Sequence, residues 1–168
     1  MPEHLMLRDL QLLKDWGGNA IRGAHYPNDQ RFLDLCDELG VLFIEEIPLW
    51  GFAGEQLASD VISDRAAAMV WAMVERDVSH PCIWAWSVLN ECATDTPVGR
   101  AIVDRLVDTV HEIDRTRPVT YAENHMYRAR RRQTLGLSDV WSVNYELDVL
   151  DQARDAARLS CVIVSECA

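Results

Sequence analysis

Apolar residues along the chain follow two spacings, which predict alternating strands and helices. Short, nearly continuous apolar runs indicate buried strands; these runs lie at 19–27, 41–46, 82–90, 117–124, 140–146 and 161–166. Between them, apolar residues recur every three or four positions, which indicates helices with one buried face; these segments lie at 4–16, 29–40, 60–79, 96–113 and 147–159.

Several of these segments carry the residues that commonly begin or end a helix. Asp29 is a predicted N-cap, and Gly40 is the predicted stop of the same helix. The glycines at 17 and 18 end the first helix, and Thr96-Pro97 places proline in the first turn of a later one. The sequence therefore predicts regular βα units with short connections.

Alternating strands and helices with apolar strands predict an α/β fold with a parallel sheet. Two architectures satisfy this pattern, a doubly wound open sheet and a (β/α)8 barrel. A nucleotide-binding open sheet would place a glycine-rich loop directly after a strand. In "GGNAIRG" the first glycines precede the strand, so that loop is missing. We expect a barrel, and no domain boundary within residues 1–168.

Polar and reactive side chains follow nearly every predicted strand. They are Arg22, His25, Glu45, Glu46, Asn90, Glu91, Glu123, Asn124, His125, Asn144, Tyr145, Ser165 and Glu166. In a barrel the carboxyl ends of the strands surround one pocket, where active sites are found. We therefore expect these groups to share a single site.

Charge and composition exclude several classes of partner. The chain has 168 residues, with 27 acidic and 16 basic side chains and a net charge of −11. Nucleic acid is an unexpected partner, because backbone binding needs a clustered positive surface. The one basic cluster, "YRARRR" at 127–132, is read as a solvated face, with contact to an anionic substrate as the alternative.

Five cysteines without paired spacing predict no disulfide framework, and with it a reducing, cytoplasmic location. The amino-terminal residues carry charges that interrupt any signal-peptide pattern. No apolar stretch approaches the roughly 20 residues of a membrane span, so no membrane association is expected.

Five motifs together resemble the barrel domain of glycoside hydrolase family 2, which includes β-galactosidases, β-glucuronidases and β-mannosidases. In chain order they are "NAIRGAHYPNDQRFLDLCDELGVLFIEE", "HPCIWAWSVLNEC", "DRTRPVTY", "SVNYE" and "VIVSEC". One Asn-Glu pair alone would be weak, but five motifs in register cover nearly the whole chain. Cys167 and Ala168 depart from the family, which usually has an aromatic residue and a glycine there.

The resemblance implies a retaining mechanism with two carboxylates. Glu91 would be the acid/base and Glu166 the nucleophile, with their carboxyls about 5 to 5.5 Å apart. Glu91 would have to be protonated near neutral pH, for which an apolar wall, with Trp84 and Trp86 as candidates, and the nearby Glu166 would be responsible. Each glutamate taken alone could instead be a surface carboxylate at a strand end.

The resemblance also implies substrate-binding residues. Asn90 would bond the sugar 2-hydroxyl, Tyr145 would position the nucleophile, and Arg22 and His25 would shape the sugar subsite. Asn144 and Glu46 complete the candidate set, although the sequence does not decide whether Glu45 or Glu46 points inward.

Structural alternatives exist for several of these residues. His25 could be an ordinary loop histidine, and Asn144 and Tyr145 could cap a following helix. Trp84 and Trp86 are expected in the core more than on a sugar platform. His111 has no partner histidine at ligand spacing, so no metal site is predicted, and the resemblance implies no cofactor.

The family assignment makes the visible strands about two to seven of eight, so we expect a partial barrel without the family's preceding β-sandwich domains. We expect hydrolysis of terminal β-linked sugars, with a glucuronidase-like preference favoured slightly over a galactosidase-like one. A truncated, non-catalytic fragment or a sugar-binding remnant is the alternative. We expect no turnover from residues 1–168 alone, and homo-oligomer formation by a longer parent stays open.

Overall fold

The computed structural model describes residues 1–124, 134, 136–145, 147, 150 and 161–167. The helices are α1 Glu3–Asp15, α2 Gln30–Leu39, α3 Gly54–Leu57, α4 Asp60–Asp77 and α5 Pro97–Ile113. The strands are β1 Ala20–Gly23, β2 Leu42–Glu46, β3 Ile83–Asn90, β4 Val119–Glu123, β5 Trp141–Asn144 and β6 Val162–Glu166.

The six strands form one parallel sheet in the order β1-β2-β3-β4-β5-β6. A doubly wound sheet reverses its strand order at a switch point, and this sheet has no reversal. The sequential order is that of a (β/α) barrel, so the predicted partial barrel is confirmed.

A contact between the two outermost strands shows that the sheet is strongly curved. In a flat sheet β1 and β6 would lie about 24 Å apart, because neighbouring strands are separated by about 4.8 Å. Yet Nη1 of Arg22, on β1, lies 2.6 Å from Oε1 of Glu166, on β6. Curvature brings the carboxyl ends of all six strands around a common space.

Local sequence accounts for the ends of the helices. Asp29 accepts a hydrogen bond from the Arg31 N–H at 3.1 Å, and Gly40 ends α2 with a left-handed φ of 65°. Thr96 caps α5 by accepting from the Gly99 N–H at 3.0 Å, with Pro97 in the first turn. A side chain at Gly99 would come within 2.1 Å of the Ala93 carbonyl oxygen, so glycine allows α5 to begin close behind the loop that follows Glu91.

Some elements differ from the prediction. The segment between β2 and α4, for which no element is predicted, contains the short helix α3. The strands are also shorter than the predicted runs; β1, for example, ends at Gly23 rather than at position 27. The predicted helix at 147–159 and the basic cluster at 127–132 lie outside the described residues, apart from single positions, and so does His125.

The core lies between the outward face of the sheet and the helices that cover it. α1 contributes Met6 and Leu10, and α5 contributes a row of buried aliphatic residues that includes Leu106 and Val110. Within the described residues, no helix is both long enough and apolar enough to cross a membrane.

Candidate active site

Side chains from four strand ends meet at the carboxyl-terminal end of the sheet, around Arg22. The guanidinium donates to Glu46 Oε2 from Nε at 3.0 Å and from Nη2 at 2.8 Å. It also donates to Glu166 Oε1 from Nη1 at 2.6 Å and to Asn90 Oδ1 from Nη2 at 2.7 Å. One planar cation thus fixes groups from β2, β3 and β6 relative to one another.

Glu166 is held by two donors on opposite carboxylate oxygens. Arg22 binds Oε1, and the Tyr145 hydroxyl donates to Oε2. Partial burial alone would raise the pKa of Glu166, but the hydrogen bonds from Tyr145 and Arg22 outweigh it and hold this pKa below its ordinary value. The hydrogen bond and the negative charge of Glu166 raise the pKa of Tyr145, so the phenol remains a donor.

Glu91 lies beyond the end of β3 in an unusual backbone conformation. Its φ is 52°, and its N–H donates to the Ala122 carbonyl on β4 at 2.9 Å. The Asn144 amide donates to Glu91 Oε1 at 2.8 Å. Among the described residues no cation pairs with this carboxylate, which distinguishes it from Glu166.

Tyr145 repeats the backbone geometry of Glu91 two strands later. Its φ is 66°, and its N–H donates to the Glu166 carbonyl on β6 at 2.8 Å. A left-handed conformation at a non-glycine residue costs on the order of 1 kcal/mol. Glu91 follows Asn90, and Tyr145 follows Asn144, at the ends of their strands. In each case the turn directs the side chain into the space around Arg22.

The two asparagines connect the glutamates. Asn90 Oδ1 accepts from Arg22 and, at 3.0 Å, from Asn144 Nδ2. Asn144 Oδ1 accepts from the Ser165 hydroxyl at 2.6 Å, which fixes the orientation of its amide. Asn90 is buried, and its Nδ2 has no partner among the described residues. That amide group is a donor available to a ligand.

The structure separates Glu46 from Glu45, which the sequence could not. Glu46 accepts from Arg22 and from the Ser87 hydroxyl at 2.6 Å, and its Oε1 lies 2.7 Å from His25 Nδ1. Side chains alternate along a strand, so Glu45 points the other way, toward α4. Only Glu46 belongs to the site.

Glu45 is fully buried beside a second acidic side chain. Its Oε1 accepts from the Asn28 N–H at 3.1 Å and from Arg76 at 3.3 Å, and Arg76 also pairs with buried Asp77. Burial, and then the charge of Asp77, raise the pKa of Glu45 to about 8. This pair ties the loop after β1 to the end of α4.

Two residues at the site were missed from the sequence. Ser87 lies opposite Glu46 in the β2–β3 register, and a polar residue within an apolar strand was the available signal. Trp50 stacks on His25 with ring centroids 5.7 Å apart and remains 56% exposed. An exposed aromatic ring beside the site is a candidate platform for a sugar face.

A small cavity of about 180 Å³ adjoins Glu91. Phe52, Cys92, Asp95 and Glu123 are among the residues that line it. Glu123 is buried at the end of β4 and accepts a hydrogen bond from Thr94. Asn124, the next residue, is half-buried. This cavity provides space next to Glu91.

The suggestion that Trp86 forms an apolar wall for Glu91 is wrong. Trp86 is fully buried, and its indole N–H donates to Asp114 Oδ2 at 3.0 Å, with Arg117 over the ring at 5.9 Å. Asp114 and Arg117 lie between α5 and β4, at the opposite end of the sheet. Trp86 is therefore a core residue, which was the alternative expected from the sequence. Trp84 is half-buried, and its indole N–H has no partner among the described residues.

Comparison with known proteins finds the relatives of the chain among glycoside hydrolases. The family model described as "Glycosyl hydrolases family 2, TIM barrel domain" matches residues 1–159. The β-glucuronidase of Chlorocebus aethiops is 33% identical over 125 residues, which are 74% of this chain and 19% of that protein. A β-galactosidase of Thermoanaerobacter pseudethanolicus is 35% identical over 120 residues, covering 70% of this chain and 15% of that protein. The chain thus spans a fifth or less of these relatives.

Solved structures agree with this placement. A GH2 β-galacturonidase from Eisenbergiella tayi bound to galacturonate superposes with a TM-score of 0.83 at 34% identity, covering 94% of this chain and 29% of that one. A family 2 member from Bacteroides cellulosilyticus gives a TM-score of 0.86 at 29% identity, covering 98% and 22%.

Proposed function

Because the chain belongs to glycoside hydrolase family 2, we propose that it carries the catalytic site of a retaining β-glycosidase that hydrolyses terminal β-linked sugars. The observation that carries the proposal is the unequal environment of two glutamates joined by one network. Glu166 has a cation and a phenol on its carboxylate, whereas Glu91 has the Asn144 amide.

This inequality suits the two roles that retaining hydrolysis requires. A nucleophile must be ionised, and the lowered pKa of Glu166 keeps it so at neutral pH. An acid catalyst must exchange a proton with the leaving oxygen, and no cation in the described part of the chain occupies the carboxyl of Glu91. We therefore assign Glu166 as nucleophile and Glu91 as acid/base.

In the first step, a Glu166 oxygen attacks the anomeric carbon as the bond to the leaving oxygen breaks. Glu91 gives its proton to that oxygen, and a covalent glycosyl ester forms. In the second step water attacks the same carbon, Glu91 takes its proton, and Glu166 leaves as a carboxylate. This cycle needs the carboxyls about 5 to 5.5 Å apart, and that separation stays a prediction.

The neighbouring residues position these two groups and the sugar. Arg22 and Tyr145 orient the Glu166 carboxylate, and Asn144 orients Glu91. Asn90, with its carbonyl held by Arg22, directs its unpartnered amide toward a sugar hydroxyl, which we assign as the 2-hydroxyl. Contacts there strengthen as the transition state forms.

A uronide is our proposed substrate class, with a β-glucuronide as the first choice. β-Glucuronidases are among the curated relatives, and the solved β-galacturonidase is bound to a uronate. The β-galactosidase relative keeps a neutral galactoside as the second candidate. Turnover of 4-nitrophenyl β-glucuronide, β-galacturonide and β-galactoside by the natural protein that carries this sequence would rank the three.

Azide rescue tests the assignment of roles. Glu166→Ala should abolish turnover of aryl β-glycosides, and added azide should restore reaction with an α-glycosyl azide as the product. Glu91→Ala should spare substrates with good leaving groups, which need no protonation, and give a β-glycosyl azide. Cys92→Ala, beside Glu91 but without a catalytic role, is the matched control. Exchanged product stereochemistry would reverse the assignment, and full activity of both variants would refute the proposed function.

A further inference from the structure

A cluster of metal-ligating side chains lies at the opposite end of the sheet from Glu91 and Glu166. Asp37, His80 and Cys82 each place one ligand atom within 4.8 Å of the other two. Cys36 lies beside this group: it is buried, precedes Asp37 on α2, and lines the same cavity as Asp37 and Cys82. Two of these residues lie on α2, and the other two lie just before β3.

We propose that Cys36, Asp37, His80 and Cys82 form a tetrahedral site for a thiophilic divalent cation such as Zn²⁺. Two sulfurs, one imidazole nitrogen and one carboxylate oxygen are a ligand set that suits zinc. Because four protein ligands leave no open position, we expect the ion to be structural rather than catalytic.

Existing contacts bring the donors close to the required geometry. His80 Nδ1 lies 2.7 Å from Asp37 Oδ2, and two such ligands on one tetrahedral zinc would lie about 3.3 Å apart. Two thiolates on the same ion would lie about 3.8 Å apart, close to thiol–thiol contact. Asp37 also accepts from the Cys82 N–H at 2.7 Å through its other oxygen, which orients the carboxylate.

Burial and charge also suit a cation. Cys36 is fully buried, and Cys82 is 5% exposed. A cavity of about 200 Å³, lined partly by Cys36, Asp37 and Cys82, opens directly onto these groups and offers an entry path. Two thiolates and one carboxylate on Zn²⁺ leave one negative charge, and Arg117, which donates to the His80 carbonyl at 3.2 Å, supplies a cation nearby.

Binding replaces thiol protons with the ion. Two Cys–SH groups and one Zn²⁺ give two zinc-bound thiolates and two released protons, with no change in oxidation state. If His80 carries a proton beforehand, a third is released. This proton count separates thiolate ligation from loose binding by surface carboxylates.

Cobalt titration of the full chain under anaerobic, reducing conditions tests the site. We expect one equivalent of Co²⁺ to produce a thiolate-to-cobalt charge-transfer band and tetrahedral d–d bands, which Zn²⁺ then displaces. Cys36→Ser and Cys82→Ser should weaken binding by about 100-fold or more. Cys92→Ser is the control, because Cys92 is also buried but follows β3 at its other end.

Calorimetry in buffers of different ionisation enthalpy keeps the test decisive if a serine variant fails to fold. The unsubstituted chain should release two or three protons per Zn²⁺ bound. Absence of the charge-transfer band from folded chain, release of fewer than two protons, or equal loss of binding in Cys92→Ser would overturn the proposal. None of these outcomes depends on glycosidase activity.

Discussion

The two ends of the barrel use buried carboxylates in opposite ways. At the amino-terminal end of the sheet, Asp114 accepts from Trp86, from the N–H and hydroxyl of Thr116, and from Arg117 Nη1 at 2.8 Å. All of these donors except Trp86 lie within three residues of Asp114. The Asp114 carboxylate therefore stabilises the loop between α5 and β4 and, through Trp86, joins that loop to β3.

At the carboxyl-terminal end, the carboxylates depend on distant residues. Glu166 and Arg22 are 144 positions apart, and Glu91 and Asn144 are 53 positions apart. Two backbone segments there hold left-handed φ angles at Glu91 and Tyr145, and the amide of buried Asn90 has no partner among the described residues. Satisfied local groups stabilise a fold, whereas strained groups gathered from many strands mark a site built for a ligand.

Replacing Arg22 with lysine should have the largest effect, and on activity. Lysine keeps the charge but loses the fork that contacts Glu46, Glu166 and Asn90 together. We expect kcat/KM to fall by about 10²- to 10³-fold. Because Arg22 helps to lower the pKa of Glu166, the acidic limb of the pH–rate profile should move to higher pH. If the acidic limb of the pH–rate profile did not move, Arg22 would not control the pKa of Glu166.

Asp114→Asn should affect stability alone. Thr116 donates to one carboxylate oxygen, whereas Trp86 and Arg117 donate to the other. An amide has a single oxygen and can accept from only one of these two sets, so the other donors lose their partner. We expect the free energy of unfolding to fall by about 2 to 4 kcal/mol. The pKa of Asp114 is lowered because its hydrogen bonds, chiefly from Thr116, Trp86 and Arg117, outweigh burial. The difference in unfolding free energy between the wild type and Asp114→Asn should therefore shrink as falling pH protonates Asp114.

Denaturant titration measures this change, with Asp108→Asn as the control on the exposed face of α5. Activity per folded molecule should stay within about twofold of wild type. A larger loss of activity would show that Asp114 serves catalysis as well as stability, which would contradict the proposed difference between the two ends of the barrel.

Glu45→Gln should reveal the buried proton next to the site. With its pKa raised to about 8, folded Glu45 holds a proton that the unfolded chain releases above about pH 4.5. The free energy of unfolding should therefore fall as the pH rises from about 4.5 to about 8, and Glu45→Gln should remove most of that fall. Exposed Glu38→Gln is the control, and an unchanged pH slope in Glu45→Gln would contradict the buried proton.

The smallest expected effect concerns the strained backbone at Glu91. Glu91→Gly should be more stable to denaturant than Glu91→Ala by about 0.5 to 1 kcal/mol, because glycine adopts positive φ without steric cost. At Asp104, exposed within α5, the order should be reversed, with alanine more stable by about 1 kcal/mol. The same order at both positions would show that Glu91 carries no backbone strain.

The sequence by itself determined the order of the elements. Apolar runs located all six strands, Asp29 and Gly40 set the bounds of α2, and Thr96-Pro97 began α5 where expected. These features depend on local chemistry, which short segments carry with them. Polar residues after each strand also predicted that their side chains gather at one end of the barrel, because a parallel sheet places all its carboxyl ends together.

Only the tertiary structure decided which side chains meet. Local pattern could not choose Glu46 over Glu45, since both are charged and only strand orientation separates them. It left Trp86 as a candidate wall beside Glu91 as well as a core residue, because the contact with Asp114 that settles its place depends on how α5 packs. It also could not bring Asp37 near His80 and Cys82, because these residues meet only when α2 packs against the start of β3. Contacts between residues far apart in sequence depend on the packing of whole elements, which no short segment specifies.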